Sequence, residues 1–351
     1  MKQRRLLNIE ILRVVAMFLI VTGHYWYNVV KTEPLRNSYA LSQLGEYLAS
    51  QTLFSFSTIG VNCFVMISGY FLILSKRFRY QGLLLIALQT VFYSLAVCGL
   101  FLAVPALPSP VLSDWAQALE IFPVHHHWFI LKYMALMMVA PFLAVLVERL
   151  TQRQYLLLLL ILFALLFEYP LGTVLGGGMS LSWFVFLFLF GGYLRLYPLP
   201  INLKQAVGLS VLILIGIVAL HAVPAFLHGA PYELKFDGNH SVTFFLSALV
   251  FICFSRMNAG GRVPTLAGRL APYMLGVYLL HEHWMVRPWL WKEAVPSVFG
   301  SYGVLESLCV ALVVFAVCVV ADRLRSRLFR LCRVNKVVEH LASRLPQPFE
   351  R

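Results

Sequence analysis

The chain has 351 residues, 60% hydrophobic and only 12% charged, where a soluble domain carries roughly 25% charged residues. Its mean hydropathy of +0.79 and its long apolar runs exclude a soluble enzyme. They predict an all-α, polytopic membrane helical bundle rather than a barrel. The net charge of +13 does not point to nucleic acid, because the basic residues sit in short loops between apolar runs.

Ten apolar stretches are candidate spans, near residues 7–30, 53–74, 83–104, 128–147, 155–170, 181–197, 206–224, 241–257, 272–290 and 303–321. The N-terminal Met1-Lys-Gln-Arg-Arg5 mimics a signal peptide. Glu10 and Arg13 interrupt the run that follows, and no small-residue cleavage site appears, so the first helix is expected to be retained. Alternate loops hold Lys2, Arg4 and Arg5; Lys76, Arg77 and Arg79; Arg149 and Arg153; Arg195 and Lys204; and Arg256, Arg262 and Arg269. The opposite loops are poor in Lys and Arg, so both termini are expected in the cytoplasm. The chain divides accordingly into a membrane domain, 1–322, and a basic cytoplasmic tail, 323–351. Arg323, Arg325, Arg327, Arg330 and Arg333 of the tail suit anionic lipid.

The first span is the most informative. Glu10, Arg13 and His24 lie inside it, and ionisable side chains in a bilayer mark function by default. Arg13 and His24 are eleven residues apart, and eleven steps of about 100° return to within about 20° of the same face. They share one stripe, about 16 Å apart along the axis. Glu10 is within pairing reach of Arg13 but about 21 Å from His24. The plain alternative is a Glu–Arg pair tethering the helix end, below a core histidine.

In the second span Gly60, Ser68 and Gly69 permit close helix approach. Lys76-Arg-Phe-Arg79 follows, as a topology signal or a site for an anionic head group. The fourth span opens with His125-His-His127-Trp128. Three adjacent histidines cannot share a helix face and lack metal-ligand spacing, so no metal is expected; an interfacial Trp128 with His127 towards a cavity fits better. The ninth span contains His281-Glu282-His283-Trp284. A His beside a carboxylate is hard to explain as filler there, although Glu282 pairing with Arg287 at the outer interface is the plain alternative. Glu168, His221 and Glu306 lie near span ends, where snorkelling accounts for them. The six Cys lie mostly in apolar runs and are expected as buried thiols. Gly176-Gly-Gly178 reads as a flexible turn rather than a phosphate cradle. No serine-hydrolase elbow, Walker loop or dinucleotide fingerprint is present.

Glu10-Ile-Leu-Arg13 through Thr22-Gly-His24 resembles the opening helix of the acyltransferase-3 family, marked by Arg and His with ten residues between them. Phe64-Val-Met-Ile-Ser-Gly-Tyr-Phe71 resembles its second-span signature. His127-Trp-Phe-Ile130, with Pro141 beyond, resembles its His-Leu-Trp-Phe segment, without the Leu. Gly276-Val-Tyr-Leu-Leu-His281 resembles its ninth-span Gly-Ile-Tyr-Leu-His. The four matches keep the family's order over almost the entire chain. Glu10 stands where members often have Asp, and the soluble hydrolase-like domain of longer members is not expected here. The resemblance implies transfer of an acyl group, often acetyl, from cytoplasmic acyl-CoA to a hydroxyl of an extracytoplasmic or lipid-linked glycan. It implies a multi-pass protein of a bacterial-type inner membrane that needs Arg13 and His24.

The residues admit this chemistry on their own terms. Basic inner loops with Lys76, Arg77 and Arg79 suit the phosphates of CoA. His24 is the expected base, with Glu282 or His281 supporting it and Arg13 positioning the CoA end of the donor. Glu10, Ser68, Tyr70, His127 and Trp128 complete the candidate substrate-binding set. With no obvious Ser or Cys nucleophile beside a His, direct transfer is favoured over an acyl-enzyme. The competing classes are a multi-span transporter or flippase of a glycan or lipid-linked precursor, and a non-catalytic assembly subunit. A transporter would show two related halves with broken helices, and none is apparent.

Overall fold

The computed structural model describes residues 6–30, 44–122, 127–167, 175–228, 234, 236–258, 260–299 and 303–349. Every regular element among them is helical, as an apolar chain in a bilayer requires to satisfy its backbone internally. The order is α1 (Leu7–Asn28), α2 (Leu44–Ser57), α3 (Ile59–Leu72), α4 (Tyr80–Ala103), α5 (Leu112–Ala118), α6 (Trp128–Glu148), α7 (Gln152–Leu166) and α8 (Leu181–Leu196). There follow α9 (Leu203–His228), α10 (Ser241–Arg256), α11 (Arg262–Leu270), α12 (Met274–His281), α13 (Val286–Trp289), α14 (Val304–Leu331) and α15 (Val334–Ser343). Six runs among the described residues are long and apolar enough to cross a membrane: α1, α2–α3 together, α4, α6, α9 and α14. Helices α7, α8 and α10 are apolar but shorter.

Two spans differ from their expected form. The second begins at Leu44, inside the stretch read as an outer loop. Its polar residues are turned inward: Ser50 and Gln51 are buried, and Ser50 Oγ accepts the indole N–H of Trp26 at 2.9 Å. The ninth, expected over 272–290, is not one helix. Pro272 opens a 3-10 turn, α12 lasts 8 residues, and α13 runs into a π turn at Leu290–Ala294. At 1.5 Å per residue α12 is about 12 Å long, far short of the ~30 Å hydrocarbon core. Broken backbone at membrane depth is tolerated only where protein covers it, and His281, Glu282 and His283 at this break are all buried.

Helix α1 is the hub, packed against α2, α3, α10, α11, α12 and α14. Its ionisable residues therefore face protein rather than lipid. Glycines bring α3 close to its neighbours. A Cβ on Gly60 would lie 2.7 Å from the carbonyl oxygen of Ala16 in α1. On Gly69 or Gly191 it would collide with the backbone carbonyl of Phe188 or Met66, so α3 and α8 cross almost backbone to backbone.

Helix α14 has 28 residues, about 42 Å of helix, and passes residue 322 without a break. At its basic end Asp322 is fully buried. It accepts the Tyr93 hydroxyl at 2.5 Å and the Arg325 Nε and Nη2 at 2.7 and 3.1 Å. Gly276 of α12 lies directly against it. Arg325 is thus internal and not one of the lipid-facing cations expected of the tail; Arg323, Arg327, Arg330 and Arg333 are exposed. Arg333 turns the chain through a left-handed conformation (φ 55°) into α15, which packs on α4. Beyond it, Gln347 bonds both the N–H and the carbonyl of Phe78, at 2.9 and 3.1 Å. Phe349 stacks on Phe78 and meets Phe142 edge-on.

Further corrections concern single residues. His221 is buried rather than snorkelling, its Nδ1 donating to the Ile217 carbonyl at 2.8 Å. Glu306 accepts the hydroxyl of buried Tyr25 at 2.9 Å, joining α14 to α1. Gly178 packs tightly against Asn239, whereas a Cβ on Gly177 would meet nothing within 4 Å. Among the cysteines Cys63, Cys98 and Cys318 are buried, whereas Cys309 and Cys332 are exposed. Glu168, His125 and His126 lie outside the described residues.

Candidate active site

His24 stands one turn before the end of α1, His281 ends α12, and Glu282 caps it. Packing of α12 on α1 brings the three together. His24 Nδ1 is 2.9 Å from His281 Nε2 and 3.2 Å from Glu282 Oε1.

One backbone carbonyl settles the protons of this cluster. His281 Nδ1 lies 2.6 Å from the Val277 oxygen. A carbonyl only accepts, so neutral His281 carries its proton on Nδ1, and its Nε2 is an acceptor. His24 Nδ1–H must then be the donor to His281 Nε2, with the Glu282 carboxylate beside it at 3.2 Å. His24 is left with its lone pair on Nε2. Exposure selects the same ring: the His24 side chain is 25% exposed, against 6% for Glu282 and 0% for His281. Within the cluster, the imidazole with the free lone pair is the one open to an incoming molecule.

The three ligand atoms also lie within 4.8 Å of one another, a spacing that a metal ion can bridge. Arg287 Nη1, however, is 3.5 Å from the other Glu282 oxygen, and a fixed positive charge there opposes a second cation.

The remaining sequence candidates fall elsewhere. Glu10 is buried and Arg13 donates to it at 3.0 Å. Lys76 is held by Glu148 at 2.6 Å, so its charge is largely matched within the protein. Arg77 and Arg79 are exposed and line a notch with Leu72, Ser75, Met137, Ala140 and Pro141. Ser68 Oγ bonds the Tyr133 hydroxyl of α6 at 3.1 Å. Tyr70 accepts from Arg195 of α8 at 3.3 Å, with the guanidinium also over its ring. His127 is buried, with ring centroids 5.8 Å from Tyr278 and 6.3 Å from His283. Trp128 packs edge-on against Phe129 and Phe184. Sequence reasoning picked out His24, His281 and Glu282, but not the Val277 carbonyl that orders their protons, which no side-chain pattern encodes.

Residues 6–323 match the family profile of the acyltransferase-3 proteins, described as an acyltransferase domain. The chain belongs to the acyltransferase-3 family. It is a membrane acyltransferase. No curated protein and no solved structure matches it. The region matched to the acyltransferase-3 family starts beside α1 and ends within α14, so it contains the whole His24 cluster, and Tyr93 and Asp322 but not Arg325 of the other cluster.

Proposed function

We propose that this acyltransferase moves an acyl group, acetyl in the simplest case, from cytoplasmic acyl-CoA to a hydroxyl of an extracytoplasmic or lipid-linked glycan. In this reading the chain is a multi-pass protein of a bacterial inner membrane with both termini in the cytoplasm. Arg13, Arg77 and Arg79 serve the phosphate-bearing end of the donor. His24 Nε2 takes the acceptor hydroxyl proton as the oxygen attacks the thioester carbonyl. The C–O bond forms, the C–S bond breaks, and the departing CoA sulfur recovers the proton from His24. His281 and Glu282 keep the tautomer and carry the imidazolium charge meanwhile, as the carboxylate of a hydrolase triad does. No acyl-enzyme is required.

The observation that supports this reading is the His24 Nδ1 proton donated to His281, which leaves Nε2 as a base. The experiment is reconstitution of the purified protein with radiolabelled acetyl-CoA and the glycan-bearing lipid fraction of the source membrane. Label should enter the glycan, and His24→Ala should abolish transfer while still binding acetyl-CoA. Glycan crossing the bilayer without acylation would instead support a flippase. The spacing of the three ligand atoms gives a second reading, a bound divalent cation. Transfer that is lost to a chelator and restored by zinc would establish it; indifference to chelator is expected.

A further inference from the structure

Arg287 and Asn28 close a ring around the His24 cluster. Starting from the His24 imidazole, Nδ1 meets Glu282 Oε1 at 3.2 Å, and Glu282 Oε2 meets Arg287 Nη1 at 3.5 Å. Arg287 Nε and Nη2 both donate to Asn28 Oδ1, at 3.3 and 3.2 Å. Asn28 Nδ2 then donates to the backbone oxygen of His24 at 2.7 Å. The circuit returns to the residue where it began, once through its ring and once through its main chain.

The chemistry of each link is fixed by its neighbours. Guanidinium only donates, so Asn28 must present its oxygen to Arg287. The His24 carbonyl only accepts, so Asn28 must present its amide N–H there. Both requirements select one orientation of the amide. A planar fork reaches two acceptors in different directions, which an ammonium point charge does not reproduce. The ring also ties the end of α1 to the break between α12 and α13.

We propose that Arg287 and Asn28 are positioning residues: they hold Glu282 and the backbone beneath His24 as one bracket, and so fix where the His24 imidazole stands. Neither touches the reacting atoms. The role rests on the acyl-transfer reading above and adds to it two residues that act through another.

The test compares Arg287→Ala, Arg287→Lys, Asn28→Ala and the double alanine variant in the reconstituted assay with radiolabelled acetyl-CoA. Arg287→Ala should lower kcat about 100-fold, the cost of displacing a reacting group by about 1 Å, with the KM for acetyl-CoA unchanged. Because the Arg287 side chain is 43% exposed, millimolar guanidinium should restore part of the Arg287→Ala rate. Arg287→Lys should stay impaired, and the double variant should be no slower than Arg287→Ala. Unchanged kcat, a loss confined to the KM for acetyl-CoA, or multiplying effects in the double variant would each overturn the bracket. Unfolding midpoints in detergent, measured on the same proteins, separate this from failure of the parent reading. If the wild type transfers nothing while the midpoint shifts stay sub-additive, the ring stands as a structure and the acyl-transfer reading is what falls. Sub-additive shifts with normal kcat overturn the positioning role.

Discussion

Replacing Glu282 with glutamine removes a charge and little else. His24 Nδ1–H still donates to His281 Nε2, so the tautomer is kept and Nε2 still carries the lone pair. What is lost is the attraction between the carboxylate and the imidazolium that forms when His24 holds the acceptor proton. Two unit charges about 4 Å apart attract by about 4 kcal/mol at an effective dielectric of about 20. Arg287, at 3.5 Å from the same carboxylate, already takes a share. If that share is half, the loss lies between about 2 and 4 kcal/mol, or about 30- to 1,000-fold in kcat at 1.36 kcal/mol per decade. The assay is the initial rate of labelled acetyl transfer at saturating acetyl-CoA, with elution volume and helical content confirming the fold. The KM for acetyl-CoA should hold, since Glu282 is not assigned to the donor. A kcat within about threefold of wild type, less than 1 kcal/mol, would refute the view that Glu282 carries imidazolium charge.

Arg13→Lys should weaken acetyl-CoA binding about tenfold, the worth of one charge-assisted hydrogen bond, measured by equilibrium binding to purified protein. Unchanged affinity with transfer abolished would move Arg13 into the chemistry or the fold. Asp322→Asn should cost about 3–5 kcal/mol, because it strands a buried guanidinium; the unfolding midpoint in detergent should fall, and an Asp322→Asn/Arg325→Met pair should recover part of the loss. An undiminished midpoint in the single variant would show that the Arg325 charge is matched elsewhere.

The helical membrane class was readable from hydropathy, and so was the pairing of Glu10 with Arg13, because both follow from spacing along one helix. His24, His281 and Glu282 were found for a different reason: each is ionisable in an apolar run. Their meeting, across 257 residues, was a guess about tertiary structure. The broken ninth span was not legible, since a hydropathy window averages over a polar break as short as residues 282–285. Helix α2 was missed because Ser50, Gln51 and Ser55 read as loop residues, whereas all three are buried and Ser50 accepts from the Trp26 indole. Asn28 sits at i+4 from His24, so its reach to the His24 carbonyl was open to inspection. Its link to Arg287 was not. Tyr93 and Asp322 were passed over because a single polar residue on each of two helices gives no local sign that they face one another.

The clasp between Gln347 and Phe78 has a consequence for the order in which the protein is assembled. The loop bearing Arg77 and Arg79 is made early, and the residue that holds both backbone groups of Phe78 comes 269 positions later. At a synthesis rate of about 5–20 residues per second, the loop waits about 13–54 s for its partner. Throughout that interval the membrane helices are inserting without it. The hold on the loop that bears Arg77 and Arg79 is therefore among the last contacts the chain can make, after α14 and α15 have been synthesised.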